Sequence, residues 1–284
     1  MARYKKILVA FDGSDSSKNA LRQAIKLART EKSWIKVVSV VPSFVGDLDL
    51  TGVHDPDKAI RGPAEKLVKE ARAIAEAENA TILTDIEQGE AYEMIVEVAD
   101  SENCDLIVMG RKGHGRFEKA LVGCVTERVI GHTHKDVLVV PRESSVEWDR
   151  IVLSSDGSKA SEAATTRAVD FAKSYGSELD VIGVVDVTDE FHAYAPAAVE
   201  KMAKDFHKSL GAVKEKAESE GVKTRTFVKE GDAWDEITDL AEEEGAKLIV
   251  MGSHGRTALG KLLMGSVTQK VIGMTKRPVL VVRS

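Results

Sequence analysis

The chain has 284 residues, 30% charged and 43% hydrophobic, with a formal net charge of −6 at pH 7. These proportions describe an ordinary globular chain of one large or two small domains, and the acidic balance argues against a nucleic-acid polymer as the main partner. Two cysteines, Cys104 and Cys124, are too few for a disulfide framework and fit a reducing compartment.

The opening MARYKKILVAFDGS has too few apolar residues before Asp12 to read as a signal sequence. No apolar run nears the roughly 20 residues of a membrane helix. The expectation is a cytoplasmic protein without a membrane partner. Lys6 to Phe11 is a first strand, closed by Asp12-Gly13-Ser14, and Ser16 is placed to cap the next helix. Ala20, Leu21, Ala24, Ile25 and Ala28 form the apolar face of that helix. Lys36 to Val41 is a second strand. A loop rich in Gly, Asp and Pro runs from Ser43 to Pro63, and a helix from about Ala64 to Glu78 follows. Thr81 to Glu87 is a weaker third strand, and Glu90 to Ser101 a helix with Ile95, Val98 and Ala99 on one side. Cys104, just before the next strand, reads as a small core residue. Leu106 to Met109 is a fourth strand, Cys124 to about Thr133 a helix, and Val137 to Val140 a fifth strand.

The second half repeats the first. DRIVLSSDGSKASEAATTRAVDFA from Asp149 matches KKILVAFDGSDSSKNALRQAIKLA, and EGDAWDEITDLAEEEGAKLIVMG matches QGEAYEMIVEVADSENCDLIVMG. RPVLVVRS matches KDVLVVPR, and the second helix is longer in the second half, from about Ala197 to Glu220. A period this long is a whole domain rather than a solenoid unit. Two tandem domains are therefore expected, 1–143 and 149–284. Continuous apolar strands separated by helices predict an α/β fold, each domain a doubly wound, five-stranded parallel sheet covered on both faces. Ligands of such sheets bind beyond the carboxyl ends of the strands, at the switch in strand order. If strand one neighbours strand four, Asp12 meets the loop that follows the fourth strand.

That loop has the same glycine spacing in both halves. Gly110, Gly113 and Gly123 precede Cys124-Val125-Thr126; Gly252, Gly255 and Gly265 precede Ser266-Val267-Thr268. Glycine permits positive φ and close approach of a ligand to the main-chain amides, and a helix start attracts anions. Ser266 and Thr268 add hydroxyl donors. The loop reads either as a phosphate cradle or as a tight strand-to-helix connection; it is neither a Walker loop nor a G-x-G-x-x-G fingerprint. Asp12 and Asp156, each followed by Gly-Ser, read either as Asx turns or as carboxylates that accept a ribose hydroxyl or help hold a metal on phosphates. Arg111, Lys112, Arg116 and Lys119, with Arg256 and Lys261, read each alone as solvated charges or together as candidates to neutralise phosphate. His114 and His254 read as pocket wall or surface. His132 and His134 show no third metal ligand, and no nucleophile with its base is recognisable, so no catalytic residue is assigned.

In this combination the strand-one Asp, the glycine loop, the Gly-Ser helix start and the terminal VLVV strand resemble the nucleotide motif of the universal stress protein family, twice along nearly the whole chain. The resemblance implies an adenine nucleotide alpha hydrolase-like domain with strand order 3-2-1-4-5. It implies bound ATP (AMP and ADP stay open), with Mg on the phosphates as a further option. In the second half, Ser155 and Asp156 would line the ribose side, and Val184 would meet adenine. Gly252, Gly255, Arg256, Gly265, Ser266, Val267 and Thr268 would hold ribose and phosphates. The matching first-half positions are Phe11, Asp12, Val40, Gly110, Gly113, Gly123, Cys124, Val125 and Thr126. Cys124 stands where the pattern has Ser or Thr, and a thiol is a weak donor, so the second site is expected to be the tighter. The resemblance also implies an intrachain pseudo-dimer, with 137–140 pairing antiparallel to 279–282, and a homodimer. The expected function is a cytoplasmic stress-response regulator or sensor that binds ATP. The alternatives are a nucleotide-independent interaction scaffold and a slow ATPase.

Overall fold

The computed structural model describes residues 4–43, 56–113, 121–255 and 264–283. The chain divides into two compact units, Met1–Glu143 and Ser144–Ser284. Unit 1 runs β1 (Lys6–Ala10), α1 (Asp15–Glu31), β2 (Trp34–Val41), α2 (Pro56–Ala77), β3 (Leu83–Gln88), α3 (Ala91–Ser101), β4 (Leu106–Gly110), α4 (Cys124–His132) and β5 (Asp136–Val140). Unit 2 runs β6 (Arg150–Ser154), α5 (Lys159–Tyr175), β7 (Glu178–Val185), α6 (Asp189–Tyr194), α7 (Pro196–Ser219), β8 (Thr224–Glu230), α8 (Ala233–Glu243), β9 (Leu248–Gly252), α9 (Ser266–Met274) and β10 (Val279–Val282).

The strands of unit 1 lie in the order β3-β2-β1-β4-β5, and those of unit 2 in the order β8-β7-β6-β9-β10. Every pairing among them is parallel. This is the predicted α/β architecture with the 3-2-1-4-5 order. Parallel strands need both faces covered, and the central strands show it: Ile7, Leu8, Val9, Leu106, Ile107 and Val108 are each fully buried. The five apolar residues forecast for α1 are buried too, as is Cys104, whose thiol pKa burial pushes up. The reversal in strand order falls between β1 and β4, which places the ends of β1 and β4 side by side.

Local details differ from the sequence expectation in three places. Ser14, not Ser16, caps α1: its side chain accepts from the Ser17 amide at 3.2 Å. The Asp12-Gly13 turn, with Gly13 at φ 79°, sets the helix start. Ser16 instead accepts from the Arg111 amide at 2.9 Å and donates to the Val140 carbonyl at 3.0 Å, which ties α1 to the ends of β4 and β5. The second helix starts at Pro56, so Pro63 lies inside it rather than before it. A proline is well suited to a first helical position, and the earlier of the two takes it. Finally, α6 lies just before the long second helix, in a stretch to which the sequence reading assigned no element; Thr188 caps it by accepting from the Phe191 amide at 3.2 Å.

Candidate functional site

Each first strand ends in a turn built by its aspartate. In unit 1, Asp12 Oδ1 accepts from the Ser14 amide at 3.0 Å and from the Ser14 hydroxyl at 2.6 Å. In unit 2, Asp156 Oδ1 accepts from the Ser158 amide at 2.9 Å. The Asx-turn reading is therefore real. It uses one carboxylate oxygen. The other faces the glycine loop: a Cβ on Gly113 would lie 2.1 Å from Asp12 Oδ2, and one on Gly255 would lie 3.0 Å from Asp156 Oδ2. The turn and the approach to the glycine loop involve different oxygens of the same side chain.

Among the described residues, a main-chain bond joins the two ends of the loop after the fourth strand in each unit. The Gly123 amide donates to Arg111 O at 2.9 Å, and the Gly265 amide donates to Ser253 O at 2.9 Å. These glycines act through space rather than backbone angle. Gly123 and Gly265 sit at φ −66° and −62°, and a Cβ on either would come within 3.3 Å of that same carbonyl oxygen. Gly110 serves packing: its Cβ would meet Ser16 Oγ at 2.7 Å and the Ser16 carbonyl carbon at 2.8 Å. None of the three needs positive φ, which corrects half of the glycine argument.

The loop delivers the chain to a helix N-terminus. Gly123 caps α4 and Gly265 caps α9, and neither cap supplies a side-chain hydrogen bond. Amides in the first turn have no intrahelical acceptor; this holds for Cys124, Val125 and Thr126, which line the unit 1 cavity, and for Ser266, Val267 and Thr268 at the start of α9. The hydroxyls of the two threonines do something else. Thr126 Oγ1 donates to Gly110 O at 3.0 Å, and Thr268 Oγ1 donates to Gly252 O at 3.0 Å. Both threonines are buried. Thr268 was expected to offer its hydroxyl to an anion; its proton is instead committed to the strand-end carbonyl, and what remains for a ligand is the amide.

In unit 1 these parts surround a cavity of about 600 Å³. Phe11, Asp12, Val40, Gly110, Gly113, Gly123, Cys124, Val125 and Thr126 all line it. So does Lys112, whereas Arg111 is half-buried and its pKa is lowered by desolvation. Arg116, Lys119 and His114, with Arg256 and Lys261, lie outside the described residues. The sequence reading missed the apolar walls: Val38 and Met109 from the sheet, Leu67 from α2, Ala91 and Ile95 from α3. Ala91 and Ile95 are four apart at the start of α3, a helical spacing that was legible; Leu67 gave no local signal.

In unit 2, Ser155 is buried, its amide donates to Ile182 O at 2.9 Å, and its hydroxyl lies 3.4 Å from Ser161 Oγ. Val184 stands near the end of β7, in register with Lys229. Ser253 and His254 Nδ1 are 2.8 Å apart. Away from both crevices, His132 Nδ1 is hydrogen-bonded to Arg128 O at 2.8 Å. Among the described residues no group of three His, Cys, Asp or Glu could hold a metal ion, and no helix is long and apolar enough to cross a membrane.

Comparison with known proteins agrees with the repeat. A universal stress protein of Mycobacterium tuberculosis is 28% identical over 292 aligned positions, covering 98% of this chain and 96% of that protein. A shorter universal stress protein of Methanocaldococcus jannaschii is 38% identical over 140 residues, 48% of this chain and 82% of its own length. The crystal structure of a universal stress protein from Archaeoglobus fulgidus superposes with a TM-score of 0.75 at 24% identity over 98% of this chain and 96% of that one, a likeness of fold. The universal stress protein family model matches residues 3–141 and again 147–283. The chain therefore belongs to the universal stress protein family, as two tandem copies.

Proposed function

We propose that the chain binds an adenine nucleotide, ATP in the first instance, in the unit 1 cavity and in the matching crevice of unit 2, and that it acts as a stress-response regulator or sensor. The observation that carries this reading is the convergence of all nine first-half positions on one cavity of about 600 Å³. That volume falls within the range of roughly 300–1,000 Å³ found for small-molecule sites. The residues also fit the group chemically. Val38, Val40, Ile95 and Met109 offer an apolar wall for a base. Asp12 Oδ2 is an acceptor for ribose hydroxyls. The first-turn amides of α4 suit phosphate oxygens, and Lys112 adds positive charge beside them. In unit 2, Ser155, Asp156, Val184, Gly252, Gly255, Gly265, Ser266, Val267 and Thr268 would take the same parts.

What such a site supplies is recognition. Its walls exclude water from the base, and its amides neutralise charge without moving a proton. Magnesium would ride on the phosphates; Asp12 and Glu127 are the carboxylates that line the unit 1 cavity. The test is thermal: a ligand that binds only the native state raises Tm with its concentration. Addition of ATP with magnesium raises the Tm of the wild-type chain. A Tm unchanged by ATP, ADP and AMP overturns the reading and leaves the interaction scaffold in its place.

A further inference from the structure

Two repeats of one fold in one chain face a folding hazard: a segment of one repeat can add to the sheet of the other. Among the elements open to exchange are the edge strands β3 and β8, each of which pairs with a single strand within its unit, β2 or β7. The apolar pattern does little to prevent it, since β2 reads WIKVVSVV and β7 reads ELDVIGVV. Charge does distinguish them. The third residue of β2 is Lys36, and the third residue of β7 is Asp180. The register sets Lys36 opposite Leu83 and Asp180 opposite Arg225.

Around these positions each unit is complete in its own way. Lys36 Nζ lies 2.6 Å from Glu102 Oε1 and 3.1 Å from Asp85 Oδ2. Asp180 is fully buried. It receives two bonds from Arg225, both 2.8 Å, and a third from Arg150 at 3.0 Å. Glu244, in the place of Glu102, pairs with Arg225 at 2.5 Å. The place of Asp85 is taken by Phe227, whose ring centroid lies 5.3 Å from the Arg225 guanidinium carbon.

We propose that this inversion is a pairing code by which each repeat rejects the edge strand of the other, within one chain or between two copies. On β2, the strand β8 would set Arg225 opposite Lys36 and put Phe227 where Lys36 needs Asp85. Like charges set opposite one another disfavour strand pairing. On β7, the strand β3 would set Leu83 opposite Asp180, strip it of the bidentate arginine, and bring Asp85 nearby. Asp180 would keep Arg150 alone, and a buried carboxylate that loses one of its charged partners is destabilised.

The test gives both repeats the same code. The full-length variant K6R/K36D/L83R/D85F places the unit 2 residues in unit 1, complementary within each unit. A second variant adds R150K/D180K/R225L/F227D, which exchanges the codes and keeps them different. Each chain is unfolded in denaturant, refolded over a range of protein concentrations, and analysed by size exclusion with light scattering against protein that was never unfolded. The same-code chain should form exchanged or aggregated species at least about tenfold more readily than wild type. The exchanged-code chain should return to the wild-type distribution. Two results overturn the proposal: a same-code chain that refolds as wild type does, or an exchanged-code chain that fails equally, which would show that the substitutions merely damage unit 1.

Discussion

Asp12 and Gly113 meet across the mouth of the unit 1 crevice, so closely that a single added carbon at position 113 would lie 2.1 Å from Asp12 Oδ2. The carboxylate has little room to retreat, because its other oxygen holds the turn through Ser14. In unit 2 the same carbon at Gly255 would stand 3.0 Å from Asp156 Oδ2. The two copies of the motif thus share a design and differ in tightness.

Glycine substitutions should separate binding from folding. Gly113→Ala displaces Asp12 and is expected to weaken ATP binding more than Gly255→Ala weakens the unit 2 site. Gly110→Ala acts elsewhere: its methyl meets main chain of α1 at 2.8 Å, and overpacking of this kind costs about 1–3 kcal/mol of stability. Urea unfolding without ligand, set beside calorimetric titration with ATP, distinguishes the two patterns. Equal loss of stability in Gly110→Ala and Gly113→Ala would contradict the assignment.

The threonine that follows the helix start is structural as well as proximal. Thr126→Val removes the hydroxyl that serves Gly110 O and leaves a carbonyl without that donor, a loss of about 1–3 kcal/mol. The effect should appear in the ligand-free protein by denaturant unfolding. A variant as stable as wild type that loses only ATP affinity would restore the hydroxyl to the ligand.

Cys124→Ser should strengthen the unit 1 site. Cys124 is exposed at the first position of α4, where unit 2 carries Ser266. A hydroxyl in place of a thiol adds one ordinary hydrogen bond, about 1 kcal/mol or roughly fivefold in Kd. Calorimetry on the Gly255→Val background isolates the unit 1 site, and weaker binding there would speak against phosphate near Cys124.

Much of this was readable in advance, for physical reasons. The parallel α/β sheet followed from repeated apolar runs, which are local patterns, whereas the strand order came from the family resemblance, and the glycine spacing alone left a tight connection and a cradle both open. Other features depended on distant partners. Ser16 read as a cap but its hydroxyl donates to Val140 O at the end of β5, a partner distant in sequence. Pro63 read as a boundary because the better-placed Pro56 outranks it only once the helix is built. The wall residue Leu67 and the Asp180–Arg225 pair are set by how helices and strands lie against one another, which no single window of sequence encodes.

The Lys36 cluster makes a prediction about pH. The hydrogen bond to Glu102 holds the Lys36 pKa above 10.5, with burial opposing it, and the same bond holds the Glu102 carboxyl below 4.5. A raised lysine pKa stabilises the fold fully below 10.5, and the contribution is lost as pH rises through the higher folded value. A lowered carboxyl pKa stabilises above 4.5, and that contribution is lost as pH falls through the folded value. Lys36→Met should therefore flatten both limbs of the pH–stability curve of the unit 1 transition. Limbs as steep as those of wild type, measured by urea midpoints, would place the pH dependence elsewhere.

The central claim is that the twin crevices hold adenine nucleotide, and calorimetric titration of the full chain with ATP and magnesium addresses it most directly. The account predicts two binding events per chain, one abolished by Gly113→Val and the other by Gly255→Val, with both variants still folded by circular dichroism. No heat of binding in the wild-type chain, or heats unchanged by both valines, would contradict it.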